Sequence, residues 1–316
     1  MKRNLLLSAF LLILFNGGLL AQTPKCTHPL PDKENLNFIV ASDMGRRGES
    51  EQQNIANIIG QVVTDANIQF IAVAGDPIHD HGVKSTTDPE WQLKFENIYT
   101  APSLQQLPFY VVSGNHEYKG SVQAILDYSS VSKRWNAPAR YFSIHQPVGT
   151  TGQTALLVFI DTAPLINKYR ESDSSSDAGL QSIEKQLTWL DSVLVVSKDR
   201  WKIVIGHHPV YASTEKDEDE RIDMQSRIAP ILEKRGADLY ICGHIHNFQH
   251  IKHASQRVNY VVNSSASQSR AANPIEGTLF CSGDPGFTVC SLSKTDATIY
   301  FVNHKRETIY QYTIKR

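Results

Sequence analysis

An excess of charge, cysteine and long apolar runs are all scarce in this chain of 316 residues. Lys and Arg number 31 against 32 Asp and Glu, for a formal net charge of −1. So even a balance gives no bulk attraction to nucleic acid or to an anionic membrane, and nucleic acid is not expected as a specific partner. Any affinity for phosphate has to come from a local site. Past the first 21 residues no run is apolar enough for a bilayer span of ~20 residues. No internal repeat is present. A composition 41% hydrophobic and 20% charged excludes disorder, collagen and coiled coil, and is ample for a core. Against four cysteines stand twelve histidines, the one lopsided count.

The start of the chain reads as a targeting segment. Basic Met1-Lys2-Arg3 precedes an apolar stretch from Leu5 to Phe15, followed by Asn16-Gly17-Gly18-Leu19-Leu20-Ala21, with cleavage expected after Ala21. Residues 1–21 are expected to be a signal peptide, 22–35 a tail and 36–316 a single domain, exported to the periplasm or secreted, with no membrane span left after cleavage. Export permits disulfides, and four cysteines allow three pairings. Cys281 and Cys290 flank a turn with Gly283, Pro285 and Gly286 and are the expected pair; Cys242, in an apolar run, is expected to be a buried thiol. Cys26 has no assigned partner. Asn263-Ser264-Ser265 would accept a glycan in a eukaryotic host.

Apolar, β-branched segments recur at 37–43, 70–76, 109–115, 155–161, 202–207 and 239–244, as for strands covered on both faces. Between them Ile55, Ile58, Ile59, Val62, Val63 and Ala66 follow helical spacing, as do Leu180, Ile183, Leu187, Leu190 and Leu194. Ile228, Ile231 and Leu232 mark a third helix, closed by Gly236. After residue 258 strands and turns take over, at 260–263, 287–292, 297–302 and 308–314. The class is α/β with mixed sheets. Residues 168–178 and 214–221 are polar and are expected to be solvated surface loops.

Five predicted strands finish in a potential metal ligand: Ser42-Asp43, Gly75-Asp76, Gly114-Asn115-His116, Gly206-His207-His208 and Gly243-His244-Ile245-His246. Open α/β sheets place their sites at such carboxyl edges. A lone Asp at a strand end is more often a turn former, and a lone His-x-His two solvated side chains. Five together offer carboxylate and amide oxygen and imidazole nitrogen without thiolate, a mix that suits Fe, Mn, Zn or Mg. They are too many for one cation, so two cations sharing Asp76 are the economical reading, able to clamp a phosphoryl oxygen and activate a water.

The ordered set Asp43-Met44-Gly45, Gly75-Asp76, Gly114-Asn115-His116-Glu117, Gly206-His207-His208-Pro209 and Gly243-His244-Ile245-His246 resembles the metallophosphoesterase (calcineurin-like) superfamily. Within it the chain is most similar to the small purple acid phosphatases of the tartrate-resistant type, as Ser132-Lys133-Arg134-Trp135-Asn136 and Phe159-Ile160-Asp161-Thr162 also are. The resemblance spans about residues 36–316. It implies a four-layer α-β-β-α sandwich of two mixed β-sheets flanked by helices, in one domain. It implies one metal held by Asp43, Asp76 and His246, and another by Asp76, Asn115, His207 and His244. The ions would be Fe paired with Fe, Zn or Mn. His116 would be the catalytic acid or transition-state stabiliser, with Asn115, His116 and His208 as candidate substrate contacts and a metal-activated hydroxide as nucleophile.

The implied activity is that of an acid-phosphatase-like phosphomonoesterase acting, as a monomer, on a small phosphorylated substrate. A phosphodiesterase or a pyrophosphate or nucleotide hydrolase would use the same site, and a secreted metal-binding protein without turnover the same scaffold. Lys216 could meet the leaving group but is expected to be a surface lysine. Arg46 and Arg47 could bind phosphate or be solvated; His250, His253 and His304 are read as structural or exposed, and Asn247 as a turn residue. The loop at 168–178 stands where this group carries an exposed, cleavable loop.

One departure matters. Purple members carry a Tyr three residues after the bridging Asp, whose phenolate produces the colour; here His79 stands there and is the expected additional ligand, since imidazole is a common metal donor. Imidazole brings no charge and stabilises a trivalent ion less. The iron-loaded protein is therefore expected to be colourless, and a visible charge-transfer band in its absorption spectrum would refute the substitution's effect.

Overall fold

The structure, a computed structural model, describes residues 31–173 and 176–316; the expected signal peptide and Cys26 lie outside the described residues. Strands alternate with helices through the first two thirds and give way to strands at the end, as the hydrophobic pattern predicts. The parallel strands β1 (Leu36–Ala41), β2 (Ile68–Ala74), β3 (Phe109–Val112) and β4 (Trp135–Asn136) form one side of a seven-stranded sheet. That sheet is completed in the order β14-β13-β12-β1-β2-β3-β4 by β12 (Gly286–Leu292), β13 (Asp296–Asn303) and β14 (Thr308–Lys315), which run antiparallel. The second sheet, β11-β9-β10-β8-β7-β6-β5, has a parallel centre of β6 (Thr154–Phe159), β7 (Trp201–Ile205), β8 (Leu239–Cys242) and β10 (Asn259–Val262). Its edges are β5 (Phe142–Pro147), β9 (Phe248–Ile251) and β11 (Thr278–Ser282), added antiparallel.

Side-chain alternation builds the layers. On β1, Phe38 and Val40 face a core shared with Leu157 and Phe159 of β6 and Ile203 and Ile205 of β7, so this core lies between the sheets. Ile39 and Ala41 face the opposite way, onto the apolar stripe of α1 (Gln52–Asp65). On the second sheet Leu156, Val158 and Val204 point outward to Leu190 and Leu194 of α5 (Ile183–Val196), Met224 of α6 (Glu218–Arg227) and Leu232 of α7 (Ala229–Arg235). Strands buried on both faces explain the near-continuous apolar runs. The result is the expected four-layer sandwich. Gly236 ends α7 with φ of 65°, the left-handed cap expected of it. Among the described residues no helix is long and apolar enough to cross a membrane.

Four expectations fail here. Cys281 and Cys290 are free thiols, because the chain changes sheet between them: Cys281 lies opposite Gln249 on β11, and Cys290 lies between Phe38 and Ile299 on β12. Cys242 is a buried free thiol, as expected. Asn263 is fully buried and donates to Ser42 Oγ at 3.1 Å, so it offers no glycan attachment point. Residues 218–221 are the start of α6, not a loop, and 168–178 carries helical turns in α3 (Asn167–Arg170) and α4 (Ser176–Leu180). Arg170 donates to the carbonyls of Pro164, Ala178, Gly179 and Gln181 and ties that segment together. Leu180, expected on the α5 stripe, belongs to α4 and is exposed.

A disulfide is typically worth ~2 kcal/mol or more. Cys281→Ser is therefore expected to leave the melting temperature unchanged in both oxidising and reducing buffer; a drop seen only under oxidising conditions would restore the bond.

Candidate metal centre

The carboxyl ends of β1, β2 and β3 meet those of β7 and β8 at one edge of the sandwich. The chain takes sharp turns there. Asp43, Asp76, His244 and His246 all have left-handed backbones, with φ of 53°, 50°, 69° and 64°. This region is uncommon for residues with a Cβ, and such strain collects at functional sites. The glycines before the ligands serve two ends. Gly75 has φ of 81°, a left-handed backbone that glycine adopts without strain, and a Cβ there would also stand 2.4 Å from the His207 ring. Gly114 and Gly243 keep negative φ; what they provide is clearance, since a Cβ would meet Asp76 at 2.2 Å and Asp43 at 2.6 Å.

Two groups of donor atoms result. In one, His246 Nε2 lies 3.0 Å and His79 Nε2 3.9 Å from Asp43 Oδ1, and His79 Nε2 is 3.6 Å from Asp76 Oδ2. In the other, His207 Nε2 is 3.1 Å from the same Asp76 Oδ2, 3.2 Å from Asn115 Oδ1 and 3.2 Å from His244 Nδ1. Asp76 belongs to both. Its other oxygen accepts the backbone N–H of His116 at 2.9 Å.

Hydrogen bonds on the far sides of the rings fix which nitrogen faces inward. His207 Nδ1 donates to Ala74 O at 2.9 Å and His246 Nδ1 to Gln268 O at 2.8 Å, which leaves each Nε2 for the centre. His244 is reversed, with Nε2 on Glu220 at 2.9 Å and Nδ1 inward. Lone pairs therefore crowd together, an arrangement that a cation satisfies. Neither nitrogen of buried His79 has a hydrogen-bond partner, nor has Asp43 Oδ1. These orphaned atoms and the donor set fit borderline divalent or trivalent ions.

Burial alone would raise the Asp43 and Asp76 carboxyls, but the imidazoles of His246 and His207 beside them hold both below the ordinary range. Burial would lower His207, yet Asp76 lifts it to about 9; a metal would displace that proton. Burial pushes His79 down to about 3, so it stays neutral and able to donate its lone pair. His116 stands at the rim, its side chain about one-fifth exposed. Its Nδ1 is 2.6 Å from Asp80 O, and its Nε2 faces Asp76 Oδ2 at 3.7 Å.

Other candidates divide. Lys216 is not a surface lysine: Nζ reaches His244 O at 2.7 Å and its ring nitrogens at 3.0 and 3.1 Å, and burial lowers it to about 8. His208, a candidate substrate contact, is fully buried with Nδ1 2.7 Å from Thr162 Oγ1, so it reaches no cleft. Arg47 pairs with Glu90, and Arg46 leans toward Asp80 at 3.8 Å on the wall of a cleft of about 760 Å³. Asn247 bonds Ala271 O and Gln249, as a turn residue should. His250 is buried between Tyr310 and Asn259.

Glu117, next to His116 in the chain, has a role that the strand-end pattern does not reveal. Its carboxylate accepts N–H groups of Gly114, Asp76 and Ile78 at 2.8, 3.1 and 3.2 Å and so braces the bridging Asp76, and burial and Asp76 push it up to about 8. A cleft of about 480 Å³ opens on Asn115 and His244, walled by Lys119, Lys168, Tyr169 and Lys216.

Residues 36–248 match the model of the calcineurin-like phosphoesterase family. Purple acid phosphatase 4 of Arabidopsis thaliana is 30% identical over 97% of this chain and 91% of that one. Tartrate-resistant acid phosphatase type 5 of Oryctolagus cuniculus is 32% identical over 73% of each. Among solved structures, GAP50, the anchor in the inner membrane complex of Plasmodium, superposes with a TM-score of 0.77 at 26% identity over 89% of both chains. A purple acid phosphatase from Lupinus luteus seeds shares the fold at a TM-score of 0.62, with 16% identity over 89% of this chain and 54% of that one.

His79→Ala is expected to weaken one of two bound ions, and Asn115→Ala the other, by elemental analysis after dialysis. His116→Ala should retain both while turnover falls about 10²–10⁴-fold, the usual range for a general acid; loss of metal in that variant would refute the role.

Proposed function

The chain belongs to the calcineurin-like phosphoesterase family, its relatives are purple and tartrate-resistant acid phosphatases, and it is a binuclear-metal phosphoester hydrolase; from that premise we propose an exported phosphomonoesterase. The reading is carried by the inward lone pairs of His207, His244 and Asn115 around a carboxylate that also faces His79. Asp43, Asp76, His79 and His246 would hold one ion and Asp76, Asn115, His207 and His244 the other, as Fe with Fe, Zn or Mn. When bound, such a pair supplies Lewis-acid stabilisation of phosphoryl oxygens and a nucleophile available near neutral pH.

The remaining steps belong to side chains. His116 donates its Nδ1–H to the Asp80 carbonyl, which leaves Nε2 at the rim to pass a proton to the leaving oxygen. Lys216 adds a positive charge beside His244, where a phosphoryl group would gather negative charge. Asn115 lines the same cleft and orients the ester. Residues 36–316 would act as one monomeric catalytic unit behind a cleaved signal.

A second reading rests on the superposition on GAP50, which is named as an anchor: the same scaffold would serve attachment instead of turnover. Here the whole donor set stands assembled, which favours hydrolysis. A panel of para-nitrophenyl phosphate, its bis ester, pyrophosphate and nucleotides separates the readings. The monoester is expected to be hydrolysed at least about tenfold faster than the diester. Preference for diester or pyrophosphate would move the substrate class, and two bound ions with no turnover on any of them would favour the anchor.

A further inference from the structure

The imidazole of His244 is set apart from its neighbours by what holds it. Backbone carbonyls fix His207 and His246 through Nδ1, that of Ala74 at the end of β2 and that of Gln268 in the segment after β10. His244 is fixed through Nε2, by the carboxylate of Glu220 at 2.9 Å. A carboxylate only accepts, so the ring proton sits on Nε2 and the lone pair on Nδ1, which faces His207 Nε2 at 3.2 Å and the donor Lys216 Nζ at 3.1 Å. Glu220 does not come from the sheet. It projects from α6 and is only 3% exposed, a carboxylate buried with partners on both oxygens.

Its second oxygen accepts from Tyr169 Oη at 2.8 Å and Lys168 Nζ at 2.9 Å, both on α3. Lys168 is held in turn by Asp217 at 2.7 Å, and α3 is pinned to α6 by Asp223, which accepts the Asn167 N–H at 2.7 Å. A continuous chain of hydrogen bonds thus runs from α3 through Glu220 to a ring in the candidate metal centre. A carboxylate behind a ligating imidazole fixes its tautomer and raises its basicity.

We propose that Glu220 is a positioning residue that turns His244 to bind the second metal through Nδ1, and that Lys168 and Tyr169 of α3 hold Glu220 in place. The inference rests on the dinuclear reading of the site. The affinity for one ion then depends on a helix that contributes no ligand.

Zinc titration of the ion-free chain against a competing chelator tests it. Wild-type protein is expected to hold two zinc ions; fewer would overturn the dinuclear reading and this inference with it. With two bound, Glu220→Ala is expected to weaken one ion about 10–100-fold, the usual cost of losing such a partner, and to leave the other unchanged. Glu220→Gln keeps an acceptor oxygen and should recover most of the loss, and Tyr169→Phe should weaken the same ion by less than about tenfold. Wild-type affinity in Glu220→Ala, or equal weakening of both ions, would overturn the assignment. Should that variant not fold, ring nitrogen NMR of the zinc-loaded wild type decides: the proton of His244 belongs on Nε2, and finding it on Nδ1 refutes the proposal.

Discussion

The approach of His207 to Asp76 joins the two halves of this molecule at the point where its chemistry is assembled. One residue ends β7 and the other ends β2, so a 3.1 Å contact spans the two sheets. It requires Gly75, because any Cβ there would occupy the imidazole's place. It also requires the left-handed turn at Asp76, braced from behind by the Glu117 carboxylate. Once the sheets are locked in this register, Asn115 and His244 fall within reach of the same imidazole, and His79 of the same carboxylate. The site follows from how the two sheets are docked, with the long core of Phe38, Phe159 and Ile203 maintaining the separation.

That arrangement is costly for the protein alone. Asp43, Asp76, His79, His207, His244 and His246 are all buried, and burial of unpaired polar groups opposes folding. Cations that bind only the folded chain offset this penalty by mass action. Stability and catalytic readiness are therefore coupled at one edge of the sandwich, while the rest of the core is ordinary apolar packing.

What could be read without coordinates was whatever is local. Apolar runs ending in Gly-Asp, Gly-Asn-His or Gly-His-x-His announce both a strand and the polar group at its end, and Asp43, Asp76, Asn115, His207, His244 and His246 are indeed brought together. Residues whose role depends on distant partners were hidden. Lys216, Asp217 and Glu220 sit in a run of charge that looks solvated, and only the arrival of His244 and Tyr169 makes Glu220 a buried partner. The Cys281–Cys290 pairing failed for the same reason: closeness along the chain said nothing about a change of sheet between them. The clearance role of Gly114 and Gly243 was equally out of reach, since the atoms they admit come from other strands.

The positive φ angles at Asp43 and Asp76 limit how this pocket can drift over evolutionary time. Asn and Gly enter that conformation readily, whereas a β-branched side chain enters it only with strain. A lineage that abandoned metal would therefore pass most easily through Asn at these corners, losing charge before shape. The hollow would outlast the reaction, leaving a ready-made recess for some other ligand.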